Sequence, residues 1–319
     1  MSERGFVMDN LILSLNVVLP LFLAMATGYI MKQLRIVDNR TLVVMNGVCF
    51  RLFLPVLLFY NIYSTDLKAV LNIPLMVYAL GTLAVALGVL FIVIPILEKD
   101  NRRRGVLIQG IFRGNFVLFG IPVAQALAPP NQVGVAALII AITVPLNNAI
   151  SVVILEIFRG GRIDVPRIAR GVITNPNIIG SSLGLLLLVF SLRLPYPLEK
   201  TALDFSRVAT PLALFLLGGT MSFRSVKGAL RPLLIGTIGK LIVLPMVFIP
   251  ISIAAGYRGI ELITLMVLYG APAAVASFTM AQQMEADGDL AAQLIVFGSA
   301  FSVLTMFVMI FILKQLAYI

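Results

Sequence analysis

Long apolar blocks alternate with short polar stretches along the whole chain. A helix needs about 20 apolar residues to cross about 30 Å of hydrocarbon. Ten blocks meet that requirement, at roughly residues 10–31, 42–63, 72–97, 106–127, 133–156, 168–190, 203–222, 230–255, 261–283 and 290–313. The polar stretches between them are too short to hold an inserted soluble domain. The pattern predicts an all-α polytopic membrane protein with ten transmembrane helices. An even number of spans places both termini on the same side.

Composition sharpens this reading. Of 319 residues, 60% are hydrophobic and 12% charged, against about 45–50% and about 25% in soluble domains. A mean hydropathy of +1.04 excludes an ordinary soluble enzyme. There is no histidine, so imidazole catalysis, histidine metal sites and histidine proton relays are absent. Cys49 is the only cysteine, which rules out an internal disulfide or a thiolate cluster. The reading calls for no cofactor and no metal. The opening Met1–Asp9 has neither a basic n-region nor a small-residue cleavage site, so no cleaved signal peptide is expected.

The net charge of +10 reads as an orientation signal rather than as affinity for nucleic acid. Lys and Arg gather in the loops after spans 1, 3, 5 and 7, at Lys32–Arg40, Lys99–Arg104, Arg159–Arg170 and Arg224–Arg231. The opposite loops carry few. The positive-inside rule puts the basic loops in the cytoplasm and both termini outside the cell (inner) membrane. Most of these charges would serve orientation and contact with lipid headgroups.

The two halves of the chain resemble each other. Phe50-Arg51-Leu52-Phe53-Leu54-Pro55-Val56-Leu57-Leu58-Phe59 in span 2 matches Ser206-Arg207-Val208-Ala209-Thr210-Pro211-Leu212-Ala213-Leu214-Phe215 in span 7, with Arg, Pro, Leu and Phe in register. Gly28 and Gly184 share that offset, and Gly120-Ile121-Pro122 in span 4 has a counterpart in Gly270-Ala271-Pro272 in span 9. The expected repeats are residues 1–160 and 161–319. Five helices is an odd number, so the second copy is inverted, which is the build of many secondary transporters.

Proline deep in a span removes a backbone hydrogen bond, and glycine lets the chain open. If spans 4 and 9 unwind at Pro122 and Pro272 and cross, two half-helix N-termini point their positive ends at one midplane volume suited to an anion. A simple proline kink is the alternative. Polar residues lie close by in sequence: Asn115, Asn147 and Asn148, Asn46, and Gln282. A carboxamide can donate to a carboxylate without adding charge, although helix–helix adhesion would also explain it. Arg51 is expensive at mid-membrane and could fork a carboxylate. Lys240 is expected to neutralise a helix C-terminal end or to replace a coupling cation, with Asn147 and Gln282 as supporting groups. Arg113 is expected to snorkel from the cytoplasmic end of span 4, Arg207 to pair with Asp204, and Glu156 with Arg159.

With these residues in view the chain resembles the auxin efflux carrier family, which includes the plant PIN carriers and bacterial relatives. The likeness rests on Leu19-Pro20-Leu21 with Ala24-Met25, Asn46 with Pro55, Asn115 with Gly120-Ile121-Pro122, and Glu156-Ile157-Phe158-Arg159-Gly160. It continues through Asn175-Pro176-Asn177, Ser181-Ser182-Leu183-Gly184, Leu217-Gly218 and Pro272. The resemblance implies a fold like that of sodium–proton antiporters and bile-acid transporters. Scaffold helices 1, 2, 6 and 7 would be set against transport helices 3–5 and 8–10, with helices 4 and 9 crossing where a substrate carboxylate binds. It implies substrate contacts from Asn115, Gly120, Ile121, Pro122, Gly270, Ala271 and Pro272. Asn148 stands where the plant carriers have an aromatic residue facing the ligand, which argues against an auxin-like substrate. Span 3 lacks the acidic residue of the plant carriers' support site, so no sodium or proton site carries over.

The expected function is transport of a small organic anion, a mono- or dicarboxylate, by alternating access in a lipid bilayer. A homodimer through the scaffold helices is compatible with this build. A sodium-coupled symporter of bile-acid-transporter type and a sensor without flux are the competing readings. Nothing in the chain supports an enzyme.

Overall fold

The computed structural model describes residues 19–20, 22–64, 72–116, 119, 123–124, 127–128, 134–159, 165–220 and 226–319. In these residues the chain is helical almost throughout. We number the helices α1 (residues 22–33), α2 (Asn39–Tyr63), α3 (Ile73–Leu97), α4 (Asn101–Phe112), α5 (Gly134–Phe158), α6 (Val165–Ile173) and α7 (Pro176–Val189). They continue as α8 (Tyr196–Thr220), α9 (Val226–Ile238 running on through Gly239–Val243 into Leu244–Ala254), α10 (Gly259–Gly270), α11 (Ala276–Gln283) and α12 (Gly288–Gln315). Five helices among the described residues are long and apolar enough to cross a membrane: α2, α3, α8, the Leu230–Ala254 stretch of α9, and α12.

Short polar side chains set where the helices begin. Asp38 accepts from Thr41 N at 2.7 Å, Asn72 from Leu75 N at 3.1 Å, Asp100 from Arg102 N at 2.9 Å and Asp287 from Leu290 N at 2.9 Å. Each satisfies an amide that the helix itself leaves unpaired. Two predicted spans differ from expectation for this reason. Span 6 is divided into α6 and α7 where Asn175 caps a new helix starting at Pro176. Span 7 starts earlier than expected, at Tyr196, where Leu198 N and Glu199 N donate to Pro195 O at 3.0 and 3.1 Å, and its first turns carry the Lys200–Asp204 pair. Asp204 is therefore held by Lys200 rather than by the expected Arg207, which is exposed.

Mid-span prolines leave a visible mark. In α2 the chain widens into a π turn at Cys49–Phe53 just before Pro55, and α9 does the same at Gly239–Val243 before Pro245. Proline cannot donate to the preceding turn, and a local π turn absorbs the mismatch without ending the helix.

The packing forms two sets. In the first, the second half of α2 lies against α7 and α8. Glycines let these backbones touch: a methyl group added to Gly184 would fall 2.6 Å from Phe59 O, and one added to Gly28 only 1.9 Å from Phe215 O. In the second set, α4 packs on α3, α5, α9 and α12, while α10 packs on α9 and α5. Almost every residue of α10 from Leu262 to Gly270 is buried, so this apolar helix is walled by protein on all sides.

Close backbone contact makes a sharp prediction. Gly218→Val, whose first added carbon would lie 1.8 Å from Met25 O, should destabilise the protein by roughly 1–3 kcal/mol or more. Gly47→Ala, with nothing within 4 Å, should be neutral or slightly stabilising. Thermal unfolding in detergent checks both.

Candidate functional site

The site is built where two helices stop short. α4 ends at Phe112 and α10 at Gly270, and the extended segments that follow lie side by side. Gly114 and Ala273 form an antiparallel bridge. Asn115 N donates to Pro272 O at 2.7 Å, and Ala274 N donates to Arg113 O at 3.2 Å. Backbone groups released by the two breaks thus satisfy one another, as a low-dielectric interior requires. Beyond the crossing, α11 opens at Ala276, and a new turn opens where Phe119 N donates to Asn115 O at 3.2 Å.

Each helix break has two polar ends. Lys240 lies beside Gly114, at the break between α4 and α10. A methyl group built on Gly114 would lie 3.1 Å from Lys240 Nζ, 3.2 Å from Ala271 O and 3.4 Å from Leu268 O. Lys240 is 2% exposed and its Nζ has no hydrogen-bond partner. Its amine therefore lies beside the carbonyl end of α10, the negative end of that helix dipole. The amino-terminal ends of the following turns face the opposite way, into a cavity.

That cavity has a volume of about 80 Å3 and is lined by Leu54, Leu58, Arg113, Asn115, Asn147, Asn148, Asn177, Thr210 and Ala276, among others. Arg113 is 5% exposed. Its guanidinium donates to Asn148 Oδ1 and approaches Met280 Sδ at 2.9 Å. The ion pairs found among the described residues lie elsewhere, at Arg103, Arg159 and Lys200. Buried Asn147 Oδ1 and both amide atoms of Asn177 lack partners. A cavity with a buried cation, two helix N-termini and an unpaired amide donor on Asn177 has the chemistry to receive a compact, oxygen-rich anion.

Several expectations need placing against this geometry. Asn115, Asn147 and Asn148 come together on the cavity wall, and Gly270, Ala271 and Pro272 form the break of the second helix. Gly120, Ile121 and Pro122 lie outside the described residues. The interruption that is described in that helix falls at Arg113–Asn115, earlier than the expected proline. Arg51 is exposed and does not line the cavity, because the π turn buries Cys49 and Phe50 and turns Arg51 outward. Arg113 does not snorkel; it takes the place expected of Arg51. Asn46 is also away from the cavity, donating instead to Gln282 across from α2 to α11. Glu156 does pair with Arg159, at 3.3 Å, but is itself buried, and Arg159 also holds Glu285 at 2.8 Å. Asn177 was legible only as part of a motif; its place in the same cavity wall as Asn147 could not be read from spacing.

Comparison with known proteins agrees with this picture. Residues 13–310 match the model of a family described as membrane transport protein, and the chain belongs to that family, the one of the auxin efflux carriers. It is similar to an uncharacterized transporter of Methanocaldococcus jannaschii, 24% identical over 91% of this chain and 96% of that protein. It is equally similar, at 24% identity over 94% of this chain and 96% of the relative, to a Rhizobium meliloti protein provisionally named a malonate transporter. An uncharacterized transporter of Methanothermobacter thermautotrophicus is 22% identical over 92% of this chain. The protein is a multi-pass membrane transporter rather than an enzyme.

The Arg113–Asn148 bond gives a test that needs no substrate. Asn148→Leu removes the carbonyl oxygen that receives the buried guanidinium, at a cost of about 1.5–3 kcal/mol. The variant should unfold at a lower temperature than Asn147→Leu, whose Oδ1 has no partner.

Proposed function

We propose that this member of the membrane transport protein family is a secondary carrier that moves a small carboxylate across the cell membrane by alternating access. The observation that carries the reading is Arg113, a buried cation beside two half-helix N-termini in a narrow cavity. Malonate, in the name of the Rhizobium meliloti relative, belongs to the class that such a cavity suits. In this reading Arg113 forks one carboxylate, Asn115 and Asn177 donate to its oxygens, and the helix ends supply the remaining positive field.

An inverted repeat of five helices is supported by reciprocal contacts. Gly28 packs on Phe215 and Gly184 packs on Phe59, and both glycines and both phenylalanines are repeat mates. The scaffold would comprise α1, α2 and α6–α8, with the remaining helices forming the transport part. The cavity takes Leu54, Leu58, Asn177 and Thr210 from the first set and Arg113, Asn115, Asn148 and Ala276 from the second. A substrate held between two bodies that shift against each other is what alternating access requires.

With the Arg-rich loops in the cytoplasm, the Asn46–Gln282 bond closes the cytoplasmic side, since Asn46 precedes the cavity-lining Leu54 and Leu58 along α2. Lys240 supports independence from sodium: its amine already lies beside the carbonyl end that a coupling cation would otherwise neutralise. The sodium-symport reading is the one this feature disfavours.

Purified protein in vesicles should take up radiolabelled malonate or another short carboxylate from a panel, equally well in sodium and in choline buffers. Arg113→Gln and Asn115→Ala should each reduce uptake at least tenfold, the value of one charge-assisted hydrogen bond, while Arg51→Gln should retain it. Unchanged uptake by both site variants, or no uptake of any acid, would reject the assignment. Asn46→Ala should favour the cytoplasm-open state by about 1 kcal/mol, roughly fivefold. Thiol labelling from the cytoplasmic side of Thr210→Cys, in a Cys49→Ser background, reads that shift.

A further inference from the structure

A second cavity, distinct from the one at the crossing, lies between α3 and α9. The two helices are pinned at the end away from the Arg-rich loops. Tyr78 OH hydrogen-bonds Ser252 Oγ at 3.1 Å, the Tyr78 and Tyr257 rings are 4.6 Å apart, and Tyr257 OH donates to Pro74 O at 3.3 Å. From there the helices part, leaving a wedge of about 750 Å3. Val85, Val89 and Val93 form one wall, Leu234, Ile238 and Val247 the other, and Ile111 and Gly239 the floor. Arg231 is the single charged residue of the lining. It stands at the wide end, where one guanidinium nitrogen donates to Leu97 O at 3.2 Å.

We propose that this wedge is a phospholipid site, one acyl chain lying between α3 and α9 and the lipid phosphate resting on Arg231. Three observations favour a lipid over a protein helix. The wedge is closed at the tyrosine end, so a membrane-spanning helix about 10 Å thick cannot pass along it. From Val85 to Leu97 it runs about 18 Å, close to the hydrocarbon depth of one leaflet, about half of 30 Å. Its mouth opens on the most lipid-exposed of the long spans, α3, of which only 22% is buried. Apolar walls on a membrane face cannot be left void at low cost, because the lining atoms lose their contacts. Arg231, exposed and with donors to spare beyond Leu97 O, supplies charge complementarity to a phosphate at the basic end of the molecule.

The occupant has a mechanical consequence. The wedge floor includes Gly239, the first residue of the π turn that carries Lys240. An acyl chain there fixes the angle between α3 and α9 and so props the helix that presents Lys240 to the crossing.

The experiment is native mass spectrometry and thermal unfolding of detergent-purified protein titrated with phosphatidylglycerol. The wild type should retain one lipid per chain and gain thermal stability. Arg231→Gln should weaken retention at least tenfold, and Val89→Trp, which fills the wedge, should abolish it for phosphatidylglycerol and phosphatidylethanolamine alike. Glycerol phosphate should neither bind nor compete, which separates a lipid from a free phosphate. Val89→Leu serves as a milder filler should Val89→Trp fail to fold. Retention unchanged in Arg231→Gln and in the filled variants would overturn the proposal, as would a cross-link showing a second copy of the chain seated in the wedge. The readout needs no transported substrate, so it stands or falls apart from the carrier reading.

Discussion

A backbone amide or carbonyl without a partner is costly inside a protein and costlier inside a bilayer. Two helices stop in mid-molecule here, and nearly every notable feature of the site answers that cost. The Gly114–Ala273 bridge pairs some of the released groups directly. Lys240 sits against the carbonyl end of α10, and the amide ends look into the cavity. The crossing is thus polarised, a negative end toward one lysine and positive ends toward an opening. A buried guanidinium on the positive side would be unfavourable in a purely structural role, since it adds like charge to like field. The proposed carboxylate would offset that cost.

The same logic explains the contrast between the two helix sets. α2, α7 and α8 meet through glycine on backbone, contacts with no room for sliding. Across the cavity the contacts are carboxamides and small side chains, with Asn46–Gln282 and Asn175–Met284 as polar bridges among the described residues. Tight apolar packing has discrete arrangements, whereas a few hydrogen bonds worth about 1 kcal/mol each can be exchanged between states. On the carrier reading proposed above, the rigid parts would lie within each set and the exchangeable ones between them.

Sequence reasoning went furthest where proline and glycine speak. The break at Gly270–Pro272 was legible because proline denies the helix a donor; Gly28 and Gly184 could be read only as partners at a fixed offset, not as the backbone contacts they make. The break after Phe112 was not, since Arg-Gly-Asn carries no proline and lies ahead of the conspicuous Gly120-Ile121-Pro122. Arg51 and Arg113 were read the wrong way round for a related reason. Position along a span suggests depth, but a π turn resets which face a side chain takes, and a helix interruption lets an arginine near the end turn inward. Depth alone does not say which way a cation points. Asn177 shows the limit of spacing: its place in the same cavity wall as Asn147 depends on two helices meeting that are far apart in sequence.

Charge balance at the crossing also bears on which acid fits. Each helix end is equivalent to roughly half an elementary charge. The carbonyl end of α10 beside Lys240 therefore amounts to about half a negative charge. On the cavity side, two amide ends add about one positive charge to that of Arg113, a total near two. No carboxylate among the described cavity-lining residues offsets it. A monocarboxylate would leave about one positive charge buried and uncompensated, whereas a compact dicarboxylate matches the sum. Dispersing that match over one guanidinium and two helix ends also keeps any single contact weak enough to release, as a carrier must. On the carrier reading proposed above, this balance and the small cavity would favour a short dianion over an aromatic monoacid.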